Sequence, residues 1–90
     1  MEISVLEFKK LLTTKNIKII DIREHYLFER DHIMGSINLP KRLLKRLPSN
    51  YLNKHDTYYL ICETGYNSVM LASYLTNLGY TVFGVNGDVF

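Results

Sequence analysis

The side chain best suited to nucleophilic chemistry in this 90-residue chain is Cys62, its only cysteine. A thiolate attacks soft electrophiles, sulfur among them, and its reactivity follows the fraction of thiol that is ionised. The residues after it, Glu63-Thr64-Gly65-Tyr66-Asn67-Ser68, read as a short loop that curls back to start a helix, with Gly65 giving the backbone freedom for the turn. Amide hydrogens in such a loop converge on its centre and, with the helix N-terminus, stabilise negative charge there. Cys62 sits at that focus, so the loop could activate it without a neighbouring base. A lone cysteine after an apolar strand is more often a small buried hydrophobe, and what favours chemistry is the order strand, Cys, glycine loop, helix.

Other polar groups are weaker candidates. Asp21, Arg23, Glu24 and His32 include residue types that move protons or hold anions, but charges near strand ends are normally paired with each other, and a scaffold role is expected. His25 and His55 have no companions at metal-ligand spacing, so solvated imidazoles and no metal site are expected. Lys41, Arg42, Lys45 and Arg46 form a basic helix face that solvent can satisfy, although Lys41 or Arg42 could lean over the pocket and attract anions.

The elements that would position Cys62 alternate in kind. Ser4 with Glu7 is a capping-box pattern, and Val5, Phe8, Leu11 and Leu12 recur at helical spacing, predicting a helix from about Val5 to Leu12. Ile17 to Ile22 is a β-branched run read as a buried strand, Arg23 to Arg30 a short helix, and Ser36 to Leu39 a short strand closed by Pro40. Lys41 to Leu47 predicts a helix with Leu43, Leu44 and Leu47 on one face, ended by Pro48-Ser49-Asn50. Tyr58 to Ile61 is the strand that delivers Cys62, Ser68 to Leu78 an amphipathic helix stopped by Gly79, and Val82, Phe83 and Val85 a last strand. Alternating strands and helices without repeat or linker predict an α/β fold with a mostly parallel sheet covered on both faces. In such sheets ligands bind beyond the carboxyl ends of the strands, where Cys62 is placed.

Composition sets the outer bounds. Ninety residues suit one small domain, taken as 1–90, and 47% apolar with 22% charged residues is ordinary globular usage. A net charge of +2 gives no argument for nucleic acid. One cysteine forms no internal disulfide, which suits a reducing compartment. With no secretion signal and no apolar run near the roughly 20 residues of a membrane span, the expectation is a cytoplasmic monomer with no membrane partner. The abrupt ending at Val89-Phe90 suggests a truncated or remodelled C-terminal edge.

Asp21-Ile22-Arg23-Glu24, followed by His32-Ile33-Met34-Gly35-Ser36-Ile37-Asn38-Leu39-Pro40, resembles the paired signature of rhodanese domains, and Cys62 to Ser68 resembles their active-site loop. The similarity runs from about Ile17 to Gly87, including Leu78-Gly79-Tyr80 and Val85-Asn86-Gly87. The resemblance implies a three-layer α/β/α domain with a five-stranded sheet. It further implies a sulfurtransferase in which Cys62 takes a sulfane sulfur from thiosulfate or a persulfide donor and passes it to a thiol or other thiophilic acceptor. Glu63, Thr64, Gly65, Tyr66, Asn67 and Ser68 would hold the charged sulfur, with no metal or organic cofactor, and the partners would be a small sulfur-donor anion or a persulfide-carrying protein.

The chain also departs from that pattern. Many rhodanese loops carry arginine one residue before the helix-starting Ser, where this chain has Asn67, and Glu63 sets a negative charge beside the nucleophile. Asp31 and Met34 replace common Gly and Pro, and Asp88 stands where a second Gly often lies. Two rivals follow. Phosphatases of related fold need an arginine six residues beyond the cysteine, where Ser68 stands, and so are disfavoured. A catalytically weak or inactive binding module would keep the fold while Glu63 and Asn67 silence the pocket.

Overall fold

The computed structural model describes residues 1–90. Its elements are β1 (Glu2–Ser4), α1 (Val5–Thr14), β2 (Lys18–Asp21), α2 (His25–Arg30), β3 (Ile37–Asn38), α3 (Lys41–Arg46), a 3-10 turn (Pro48–Asn50), β4 (Thr57–Ile61), α4 (Tyr66–Asn77) and β5 (Thr81–Asn86). The five strands form one sheet in the order β1-β5-β4-β2-β3, and every pairing is parallel. The α/β class and parallel sheet are those expected from the alternating pattern, and the count of five strands is the one the family resemblance implies.

Parallel strands covered by helices bury both faces, and alternation along each strand assigns side chains to two cores. Ile20, Ile22, Tyr58, Leu60 and Val82 pack with Leu44 of α3 and with Leu71, Ala72 and Leu75 of α4. Ile19, Ile61 and Val85 pack on the other face with Phe8 of α1. Cys62 shares the parity of Tyr58 and Leu60, so its side chain enters the α3–α4 side. That face holds the start of α4.

Local chemistry explains most boundaries. Ser4 caps α1, its Oγ accepting from the Glu7 amide at 3.1 Å. The strand Glu2–Ser4 was not anticipated, because three residues, only one of them strongly apolar, carry too little pattern; its pairing with β5 (Ile3 opposite Val85) comes from the tertiary fold. β3 is reduced to two residues at the sheet edge. α3 stops at Arg46, so Leu47 leaves the helix and is 40% exposed, while Leu44 alone on that helix is fully buried. The expected shared face of Leu43, Leu44 and Leu47 is thus cut short by Pro48, which restricts the residue before it to non-helical backbone. α4 starts at Tyr66, two residues earlier than the sequence suggests, which makes Asn67 and Ser68 part of its first turn.

Candidate active site

β4 lies between β5 and β2, so the residue leaving its carboxyl end emerges at the middle of the sheet. Cys62 is that residue. Its side chain is nearly enclosed, with the residue 3% exposed. Three donors close on its sulfur: the Gly65 amide at 3.2 Å, the Ser68 amide at 3.3 Å and the Ser68 hydroxyl at 2.8 Å. Each directs a positively polarised hydrogen at Sγ, an arrangement complementary to negative charge on a sulfur held there.

Backbone approach makes this possible. Gly65 adopts φ 90°, and a Cβ there would meet the Gly87 amide nitrogen at 2.2 Å. Both the left-handed conformation and the crossing of the chain after β5 exclude a side chain. Ser68 is fully buried because α4 lies close on β5: a Cβ on Gly84 would reach Val69 Cα at 2.6 Å and the Ser68 carbonyl oxygen at 2.5 Å. Gly84 is a positioning residue that the sequence reading passed over. Its signal was available, since a glycine inside a β-branched strand marks close approach of another backbone.

The loop residues divide into those that reach the sulfur and those that form its rim. Cys62, Gly65 and Ser68 come together. The Tyr66 amide is taken by Thr64 Oγ1 at 3.3 Å and does not point at the sulfur. The amides of Glu63, Thr64 and Asn67 make no hydrogen bond within the chain. The Glu63, Thr64, Tyr66 and Asn67 residues are exposed, Glu63 turning to solvent as its charge requires. Asn67 Oδ1 accepts from Lys41 Nζ at 3.1 Å, which brings one cation of α3 to the edge of the loop. Arg42, the other residue considered for that task, is held by the Glu24 carboxylate at 2.6 Å.

Of the four acid–base candidates, only Asp21 and Arg23 pair with each other in the interior, while Glu24 and His32 are exposed and bond elsewhere. Arg23 is paired with Asp21 at 2.9 Å, both buried, and its Nη2 also donates to the Asp31 carbonyl oxygen at 2.6 Å. Burial opposes the Arg23 charge, but the hydrogen bond and charge of Asp21, helped by Asp31, hold its pKa above the ordinary value. The Phe90 ring lies 3.6 Å from the guanidinium carbon. His32 bonds the Phe28 carbonyl oxygen at 2.8 Å and stacks on the Phe28 ring. His25 lies between Asn38 and Glu29, each at 3.0 Å. No three His, Cys, Asp or Glu side chains gather where they could hold a metal ion.

Comparison with known proteins gives a consistent picture. The rhodanese-like domain family matches residues 4–89. A thiosulfate sulfurtransferase of Escherichia coli strain K12 is 32% identical over 63 residues, covering 69% of this chain and 61% of its own length. A tRNA sulfurtransferase of Thermoplasma acidophilum is 41% identical over 69 residues, covering 77% of this chain and 14% of that protein. A Bacillus subtilis relative named for sulfur carriage is 34% identical over 80 residues, and the match takes in 88% of this chain and 43% of that protein. The chain thus spans less than half of several longer relatives. The crystal structure of a Staphylococcus saprophyticus protein superposes with a TM-score of 0.84 at 32% identity, covering 98% of this chain and 89% of the other.

Proposed function

The chain belongs to the rhodanese-like family, and from that premise we propose that it transfers sulfane sulfur through a persulfide on Cys62. One observation carries the reading: Sγ of Cys62 receives the Gly65 amide, the Ser68 amide and the Ser68 hydroxyl within 3.3 Å. Relatives named as thiosulfate sulfurtransferases support the chemical class.

The Cys62 thiolate attacks the outer sulfur of a donor, forming the new S–S bond as the old one breaks. With thiosulfate the bonding pair leaves on sulfite; with a persulfide it leaves on the donor thiolate, and the proton of the outer sulfur goes to solvent. An acceptor thiolate then attacks the same outer sulfur and Cys62 leaves as thiolate. The sulfur is passed on with no external oxidant or reductant. The Glu63, Thr64 and Asn67 amides, free of acceptors in the chain, can take up the outer sulfur's charge, while Gly65 and Ser68 hold Sγ. Glu63 beside this anion and Asn67 in place of an arginine favour a neutral or protein-borne donor over a dianion.

Intact-mass measurement after incubation with thiosulfate or glutathione persulfide tests the proposal. Gain of one sulfur atom, reversed by reductant and absent in Cys62→Ser, is the expected result. The 3% exposure of Cys62 favours a second reading, a binding module that keeps the fold without turnover. No adduct from any donor, with a thiol that alkylates slowly at neutral pH, decides for that module.

A further inference from the structure

A groove of about 270 Å³ opens between α3 and α4, lined by Lys41, Lys45, Tyr66, Met70, Leu71 and Tyr74. On α4, Tyr66, Met70 and Tyr74 stand four residues apart on one face and are 69%, 53% and 42% exposed. Eight residues of helix rise about 12 Å, the reach of roughly four extended peptide residues. The groove begins beside the sulfur site, since Tyr66 directly follows Gly65, whose amide points at Cys62.

Its charge is one-sided. No carboxylate lines it, and neither Lys41 nor Lys45 makes an ion pair, whereas Arg42 between them is matched by Glu24. Lys41 rests on the neutral Asn67 amide, and Lys45 Nζ lies 5.3 Å from the centre of the Tyr74 ring. The two cations therefore keep their charge unmatched above an apolar and aromatic floor, which complements a segment carrying carboxylates on one side and aliphatic side chains on the other. A second copy of the chain is a poor occupant, because a two-fold contact through this face would set its lysines against each other.

We propose that this groove docks an extended acidic and apolar segment of the protein that exchanges sulfur with Cys62. The proposal rests on the sulfur-transfer reading for its purpose, but its binding claim can be tested without turnover. The probe is a fluorescein-labelled peptide of alternating Glu and Leu, with a Gln and Leu peptide as control, followed by fluorescence polarisation. Lys45→Glu and Met70→Glu change exposed side chains away from the sulfur, and melting curves like the wild type confirm that both fold.

The acidic peptide is expected to bind the wild type, to lose affinity about tenfold or more in either variant, and to weaken as salt rises. Loading of Cys62 from glutathione persulfide stays within about twofold in both variants, because the small donor makes no use of the groove. Equal binding of the Gln peptide, or variants that bind like the wild type, overturns the proposal. So does a dimer in sedimentation that Met70→Glu dissolves, or a single-stranded RNA oligonucleotide that binds more tightly than the peptide with the same dependence on Lys45. Peptide binding without sulfur uptake from any donor supports the docking site and removes the transfer reading. Sulfur uptake without discrimination between peptides does the reverse.

Discussion

The Ser68 hydroxyl donates to Cys62 Sγ across 2.8 Å from a fully buried position in the first turn of α4. A hydroxyl so placed has no water to bond instead, so its proton stays directed at the sulfur. Hydrogen bonds to a charged partner contribute about 1.5–3 kcal/mol, against roughly 1 kcal/mol for a neutral pair. Ser68→Ala is therefore expected to slow sulfur loading of Cys62 roughly tenfold or more. Stability should fall by only about 1 kcal/mol, because the lost bond leaves no second buried polar group without a partner. Single-turnover loading from glutathione persulfide and urea unfolding measure the two effects. Loading at the wild-type rate would show that the hydroxyl is merely satisfied by the sulfur.

Gly65→Ala should damage fold and site together. An added Cβ meets the Gly87 amide nitrogen at 2.2 Å in a backbone with φ 90°. The neighbour is backbone and cannot turn aside, so either the loop or the end of β5 must move. A loss of roughly 2–4 kcal/mol is expected, with sulfur loading abolished even in molecules that remain folded, since the 65 and 68 amides would no longer both reach Sγ. A thermal melt combined with alkylation of Cys62 at neutral pH separates the two losses.

Asp21→Asn tests the scaffold assignment. The carboxylate accepts from the Arg23 amide, Nε and Nη2 in the interior, so neutralising it strands a buried guanidinium. Breaking one side of a buried pair costs about 3–5 kcal/mol. The expected outcome is a large fall in chemical-denaturation midpoint, while the folded fraction at low temperature loads sulfur at the wild-type rate. A selective loss of loading, with stability intact, would instead place this pair in the reaction.

The sequence carried the parallel α/β plan because Ile17 to Ile22, Tyr58 to Ile61 and Val82 to Val85 are strong β-branched and aromatic runs, each followed or preceded by a helical pattern. It did not carry β1, where three residues gain their conformation from β5, nor the two-residue extent of β3. The order Cys62, Gly65, Ser68 was legible because the turn needs a glycine and the helix needs a start. Which amides aim at the sulfur was not: Thr64 captures the Tyr66 amide, and the decisive approaches of Gly87 and Gly84 join residues far apart in the chain. The Lys41 to Asn67 bond likewise depends on how α3 lies against α4, a matter of tertiary packing.

His25 provides a pH-dependent contribution to stability. Its hydrogen bond to Asn38, with some opposition from desolvation and further help from the Glu29 bond and charge, raises its pKa above the ordinary 6.5. A folded-state value above the unfolded one favours the folded form most where the ring is protonated in both states. The contribution is therefore complete below about pH 6.5 and is lost as pH rises through the higher folded-state value. Because the ring is exposed and the Glu29 partner lies in solvent, the effect is small and screened by salt. Melting temperatures of wild type and His25→Gln should differ most in mildly acidic buffer and converge above neutrality. A difference that grows with pH would contradict the assigned direction.

Donor charge gives the last prediction. Glu63 is exposed beside Cys62, and Asn67 supplies a neutral amide where an arginine could clamp an anion. Thiosulfate approaches as a dianion, so removing one negative charge or adding one positive charge near the loop lowers the cost of its approach. At an exposed site each change is worth about 0.5–1 kcal/mol, or roughly two- to fivefold in rate. Glu63→Gln and Asn67→Arg are each expected to raise kcat/KM for thiosulfate by that factor, and the double variant by about their product. Asn67→Arg also releases Lys41 from its bond to the loop, which offsets a small part of the gain and makes Glu63→Gln the cleaner probe. The enhancement should shrink as ionic strength rises, because exposed charges are screened. An alkyl persulfide, at most a monoanion, should gain less in either variant, since it carries no more than half the charge of thiosulfate. Equal enhancement for the dianion and the alkyl persulfide would trace the effect to loop geometry and remove the electrostatic explanation for donor preference.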